Sequence, residues 1–204
     1  RLPIGVAVTM EFIGPLTLAA AQSRRARDLF AVAAAAGGIL LISQALTIPW
    51  RELDLAGIGL ALLAGALWAA YVVLSQRTGA AFPGLDGLAI AMVVALALVL
   101  PFGVASVPQW TGAVLVKGAA VAVLSSVLPY SLELLALRSL SQRVFGILLS
   151  LEPAVAALAG LLVLGQRLAP VQLAGMALVV VASGLVMGGG GRHTPASPAD
   201  ASAT

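Results

Sequence analysis

Long apolar stretches separated by short polar loops dominate this chain. A helix needs about 20 apolar residues to cross a bilayer. Four charge-free runs meet that length, at 29–50, 55–76, 87–116 and 168–191. Three more, at 2–23, 118–137 and 144–166, each carry a single acid, namely Glu11, Glu133 and Glu152. Apolarity within the runs is continuous and does not alternate, which disfavours a transmembrane β-barrel. The pattern predicts an all-α integral membrane fold with seven transmembrane helices, at about 2–22, 30–48, 55–75, 87–107, 114–137, 144–164 and 169–187.

Composition narrows the class in the same direction. The 204 residues are 61% hydrophobic and 9% charged, whereas a soluble domain averages about 45–50% apolar and about 25% charged. A soluble chain of this size could not bury so much apolar side chain against itself, and a disordered chain needs low hydrophobicity. The net charge of +3 rests on 11 Lys and Arg spread thinly, so no nucleic-acid surface is expected. Without cysteine, neither a disulfide nor a thiolate metal site can form. The single His193 falls in a polar tail, so no multi-histidine metal centre and no cofactor is expected. No phosphate-binding loop of an ATPase is present.

The basic residues set the expected orientation. Arg24, Arg25, Arg27, Arg77, Arg138, Arg143 and Arg192 fall on one side of the seven spans, and Arg1, Arg51, Lys117 and Arg167 on the other. The richer side is expected to be cytoplasmic, with Trp50 and Trp110 near the opposite interface. The chain then reads as a multi-pass protein of the bacterial cytoplasmic (inner) membrane with a cytoplasmic C-terminus. Residues 188–204, rich in Gly, Ala, Ser and Pro, read as a disordered cytoplasmic tail. The chain opens at Arg1-Leu2-Pro3, without Met or signal peptide, and reads as the interior of a longer membrane protein.

An internal echo relates the first and sixth spans. Each places a lone acid near mid-membrane beside a proline, in Glu11-Phe12-Ile13-Gly14-Pro15-Leu16 and in Leu151-Glu152-Pro153-Ala154. Each is followed by a short polar loop and an Ala/Gly-rich span. The two acids lie five spans apart, and five is odd, so the second copy enters from the other side. This is the inverted repeat of many secondary transporters. Residues 51–187 would then be one complete five-helix unit, and 1–50 the last two helices of a preceding one, giving ten helices in the whole.

The same residues carry a resemblance. Glu11-Phe12-Ile13-Gly14-Pro15-Leu16 with Ser23-Arg24-Arg25, Leu128-Pro129-Tyr130-Ser131-Leu132-Glu133 and Leu151-Glu152-Pro153 together resemble the EamA family of the drug/metabolite transporter superfamily. They look most like its threonine/homoserine exporter branch. The resemblance covers nearly all of the chain except the tail. Many relatives carry Gly-Glu after the sixth span, where this chain reads Gly165-Gln166-Arg167. The family implies two inverted five-helix halves, alternating access, and efflux of small metabolites through a cavity between the halves.

Three acids invite chemistry. A charge at the bilayer centre costs about 2.5–3.5 kcal/mol on insertion scales, so such residues usually face a cavity or a partner. Glu11 and Glu152 lie roughly 16 and 12 Å from the cytoplasmic ends of their spans, and Glu133 about 6 Å. Each reads either as a proton-accepting or amine-binding carboxylate, or as a structural acid serving backbone donors freed where Pro15, Pro129 or Pro153 breaks the ladder. For Glu133 the nearness of Arg138 favours structure. Trp68 and Tyr130 offer rings with a polar edge that suit an amino-acid substrate, while Tyr71 reads better as an interface anchor. Ser125, Ser126 and Ser131 read either as lining a path or, by preference, as capping neighbouring helices. Gly57, Ala61, Gly65 and Ala69 form a small-residue stripe for close helix packing. The expected substrate contacts are thus Glu11, Trp68, Tyr130 and Glu152. The expected coupling or gating positions are Pro15, Glu133 and Pro153.

These readings point to a secondary transporter exporting small metabolites, such as threonine or homoserine, with proton coupling. Its partners would be a small-molecule substrate and the lipid bilayer, and a homodimer is compatible with it. The alternative is a non-transporting membrane fragment or an assembly subunit. An intramembrane enzyme is disfavoured: no His lies in a span, and Asp28, Asp54, Asp86 and Asp200 all fall in loops or the tail.

Overall fold

The computed structural model describes residues 2–49, 51 and 53–188. Arg1, Trp50, Arg192, His193 and nearly all of the expected tail lie outside the described residues. The fold is all-α, with helices α1 (Ile4–Ala21), α2 (Ala26–Ser43), α3 (Leu55–Ala81), α4 (Asp86–Gly103), α5 (Gly112–Ala122), α6 (Leu128–Ser139), α7 (Gln142–Leu148), α8 (Leu151–Leu164) and α9 (Pro170–Met187). Among the described residues they make seven spans long and apolar enough to cross a membrane, because α5–α6 and α7–α8 each form one span. This is a multi-pass membrane protein.

Each predicted span is present, with shifted ends. The second helix starts at Ala26 and ends at Ser43, about four residues earlier than its apolar run suggests. It takes Arg27 and Asp28 into its first turn and stops at Gln44, whose φ of 53° is left-handed and cannot continue a helix. The third helix runs on to Ala81, six residues past its predicted end at 75.

The chain divides into two compact units, residues 1–73 with 140–204 and residues 74–139. In the first, α1, α2, the start of α3, α7, α8 and α9 pack around a core of Phe12, Leu16, Ala31, Ala35, Ile39, Val144, Ile147 and Ala182. Packing rests on small residues. A Cβ at Gly175 of α9 would stand 2.7 Å from the carbonyl oxygen of Gly38 on α2, so the two backbones touch there. Gln172 of α9 donates to the carbonyl of Ile42 at 3.1 Å.

In the second unit, the end of α3, α4, α5 and α6 leave most apolar side chains on the outside, with Leu98 and Phe102 well exposed. That is the surface a helix shows to hydrocarbon. Arg138 donates to the carbonyls of Phe82 and Gly84, at 2.6 Å each, and so closes the α3–α4 turn. Ser125 and Ser131 bond to carbonyls of their own helical turns, Val121 and Val127. The expectation that they cap neighbouring helices is corrected: a serine hydroxyl reaches its own carbonyl four residues back more readily.

Candidate functional site

The mid-membrane prolines are accommodated in three different ways, and two of them shape the site. On α1 the helix runs unbroken through Pro15. Proline has no N–H to give the carbonyl four residues back, which here belongs to Glu11. Against that carbonyl lies Gly65 of α3, where a Cβ would come 2.5 Å from the oxygen. Gly14 meets the Gly65 carbonyl even more closely. The small-residue stripe on α3 therefore lies against the proline-weakened turn of α1, and Gly57, Ala61 and Gly65 are buried.

The sixth span breaks outright. Leu149 and Ser150 form a turn between α7 and α8. The carbonyl of Ile147 accepts from both the N–H and the Oγ of Ser150, at 3.1 and 2.6 Å. The carbonyl of Leu149, which Pro153 cannot serve, accepts from the N–H of Glu152 at 2.9 Å. Glu152 and Pro153 thus sit in the first turn of α8. A carboxylate there faces the positive end of the helix dipole. On α6, Pro129 follows a π-helical turn, Val123–Val127, whose widened ring takes up the clash.

These two distortions meet in one cavity. Its volume is about 190 Å³, and its walls are Val8, Glu11 and Phe12 of α1, Trp68 of α3, and Glu152, Pro153 and Ala156 of α8. Helical spacing explains the set, since 8, 11 and 12 share a face of α1, and 152, 153 and 156 share a face of α8. The glycine crossing brings Trp68, one turn beyond Gly65, edge-to-face onto buried Phe12, with centroids 5.0 Å apart at 68°. The cavity is smaller than the roughly 300–1,000 Å³ of drug-sized pockets. It suits a small metabolite, and it offers two carboxyl groups and an aromatic wall.

Four of the seven site residues singled out from sequence line this cavity: Glu11, Trp68, Glu152 and Pro153. Pro15 does not. It is fully buried, and its carbonyl faces Gly146 of α7, where a Cβ would stand 2.9 Å away. Tyr130 and Glu133 lie on α6 in the second unit. Val8, Phe12 and Ala156 complete the wall without having been singled out, and nothing in their residue types marks them.

A further feature escaped sequence reasoning. Asp28, expected in a loop, is buried at 2% exposure and accepts from Arg143 at 2.5 Å. Beside it, Gln22 and Gln142 join side chain to side chain. Asp28 and Arg143 are 115 residues apart, and nothing local signals the pair.

Comparison with known proteins now adds to the geometry. The model of the EamA-like transporter family matches residues 55–188. The chain belongs to the EamA-like transporter family. That family is one of membrane transporters. The chain is 41% identical over 184 residues to the threonine/homoserine exporter RhtA of Escherichia coli (strain K12), and the match covers 89% of this chain and 62% of that protein. The threonine/homoserine exporter RhtA of Salmonella typhimurium (strain LT2) is 40% identical, with the same coverage. The chain thus spans about 62% of the length of the curated relatives it matches. No solved structure matches it.

Proposed function

We propose that this chain carries the substrate site of an exporter of small amino acids, such as threonine or homoserine, in the bacterial cytoplasmic membrane. The observation that carries the reading is the cavity where Glu11 and Glu152 share a wall with Trp68. The relatives named threonine/homoserine exporter support the substrate class.

The chemistry follows from the lining. A substrate ammonium finds a counter-charge in either carboxylate, and the ring of Trp68 covers its hydrocarbon part. One ammonium neutralises one carboxylate. The second carboxyl group is the proposed proton carrier, so that substrate and proton would be handled at one site and export coupled to the proton gradient. Glu133, Pro15 and Pro153 are the proposed coupling or gating positions, and Tyr130 is a proposed further substrate contact in the intact transporter.

We place the side rich in Arg24, Arg25, Arg27, Arg77, Arg138 and Arg143 in the cytoplasm, with the C-terminus there too. In the same reading, residues 51–187 form the second inverted five-helix repeat and 1–50 the last two helices of the first. The family match to 55–188 supports that division.

The test is threonine and homoserine release from preloaded cells expressing the intact protein. Efflux faster than in empty-vector cells, and lost on adding a protonophore, is the expected result. Protein inserted in the membrane with unchanged efflux overturns the substrate assignment. Glu152→Gln with wild-type efflux at every pH overturns the coupling role.

A further inference from the structure

Between the cavity and the α1–α2 turn, one face of α1 is packed into an apolar cluster, and a polar clasp lies beyond it. Moving along α1 from Phe12 in the cavity wall towards Ala21, the side chains of Leu16 and Ala19 are buried. Across from them Val144 and Ile147 of α7, Ala31 and Ala35 of α2 and Ala182 of α9 join the same apolar cluster. Outside this plug, where the α1–α2 turn meets the start of α7, stand the Asp28–Arg143 ion pair and the Gln22–Gln142 hydrogen bond.

We propose that Asp28 and Arg143 are the latch of a gate at this end of the transporter, and that α7 is the moving bar. Three observations carry this. First, the pair joins α2 to the first turn of α7 across the mouth of the plug. Second, α7 has seven residues and is cut from α8 at Leu149–Ser150, with only Leu151 between the break and Glu152. A short rigid rod therefore connects the ion pair at one end to a backbone break at the cavity wall. Third, the latch is held incompletely: Nε of Arg143 is buried without a hydrogen-bond partner. A contact that leaves a buried donor unmet is easier to open than a fully satisfied one. Its charged partners regain hydration once the bar swings out.

Opening follows from that anatomy. Release of Asp28 from Arg143 frees α7 to pivot at Leu149–Ser150. The pivot draws Val144 and Ile147 out of the plug and moves the turn that carries Glu152. Access from this end and the geometry of the carboxylate then change together. The latch acts through α7, so Asp28 and Arg143 are positioning residues and need not touch substrate. The proposal rests on reading the Glu11–Glu152 cavity as the transport site.

The test uses the intact protein with Ala156→Cys, a cavity-wall position, as its sole cysteine; residues 1–204 contribute no other. The readout is labelling by a membrane-impermeant thiol reagent presented from the α1–α2 side in inside-out vesicles and from the other side in intact cells. Asp28→Asn is expected to raise labelling from the α1–α2 side by about tenfold or more, the scale of losing one charge-assisted buried hydrogen bond. The exchange Asp28→Arg with Arg143→Asp is expected to bring it back towards the starting level. Asp28→Cys with Arg143→Cys, joined by a short bifunctional thiol reagent, is expected to stop turnover while leaving substrate binding intact. Unchanged labelling in Asp28→Asn, or full turnover in the cross-linked protein, overturns the latch. The labelling does not depend on which substrate is carried. Loss of the amino-acid assignment with the labelling shift intact is therefore a separate outcome, which leaves the latch standing.

Discussion

Replacing Gly65 by alanine tests whether the site depends on the close crossing of α1 and α3. The added Cβ would stand 2.5 Å from the carbonyl oxygen of Glu11 and 3.1 Å from its Cα. Ordinary contact begins near 3.4 Å, so α1 must withdraw by about 0.9 Å at Glu11 itself. The residue that moves carries one of the two carboxyl groups of the cavity. A displacement near 1 Å in a positioned site costs on the order of a hundredfold in rate. Fold stability moves less. Alanine gains roughly 1 kcal/mol of helix propensity over glycine, which offsets part of an overpacking strain of about 1–3 kcal/mol. Gly65→Ala is therefore expected to reach the membrane in near-normal amount and to lose most of its threonine efflux. The assay is efflux from preloaded cells, normalised to membrane-inserted protein by immunoblot. Gly59→Ala on the same helix is the control, since a Cβ there meets nothing within 4 Å. Wild-type efflux in Gly65→Ala, or equal damage in Gly59→Ala, would refute the reasoning.

The other predictions probe the remaining contacts. Trp68→Ala removes the edge-to-face partner of Phe12. Because Trp68 is only part-buried, thermal unfolding in detergent should show a loss near the low end of the roughly 3–5 kcal/mol for large-to-small aromatic changes, and Trp68→Phe should recover most of it. Gly175→Ala presses a Cβ to 2.7 Å from Gly38 O and 2.9 Å from Ile42, so the unfolding temperature should fall by the equivalent of about 1–3 kcal/mol; an unchanged value would mean that α2 and α9 part without strain. Gly165 closes α8 at φ +65° in open space, so alanine there should cost about 1–2 kcal/mol of backbone strain and leave efflux per inserted molecule unaltered. Pro153→Ala restores an N–H that can serve Leu149 and lets α7 run towards α8; slower efflux with normal insertion is expected, and unaltered efflux would show that the break is not used.

The seven spans were legible because each requirement is local. A bilayer asks for a length of apolar chain, and composition supplies it. The start of α2 was misplaced because a buried acid does not look like membrane helix. Asp28 enters the first turn only because Arg143 meets it there. Glu11, Glu152 and Trp68 stood out because polar or amphipathic groups are rare at that depth. Val8, Phe12 and Ala156 did not, because an apolar residue lining a cavity and one facing lipid have the same side chain. Tyr130 and Glu133 carried the same kind of signal as Glu11, yet they belong to α6 and the second unit.

The prolines show where legibility ends. Pro15, Pro129 and Pro153 each lack an N–H and crowd the carbonyl four residues back. The backbone answers with an unbroken helix at Pro15, a π turn before Pro129 and a full break before Pro153. What differs is the surroundings. At Pro15 the weakened turn lies against Gly65, and a glycine lets α3 come close enough to hold α1 in line. Before Pro153 the buried Ser150 turns its hydroxyl back to Ile147, which satisfies the chain in a turn that a helix would not contain. Before Pro129 the ring widens, with the Ser125 hydroxyl turned back to the Val121 carbonyl inside the π turn. A proline beside an acid thus marks where the helix ladder is weak; the residues packed against it decide whether the helix stays continuous, as at Glu11, or breaks, as before Glu152. One cavity then has a carboxylate on an unbroken helix on one side and one beside a helix break on the other, the asymmetry on which the proposed gate would act.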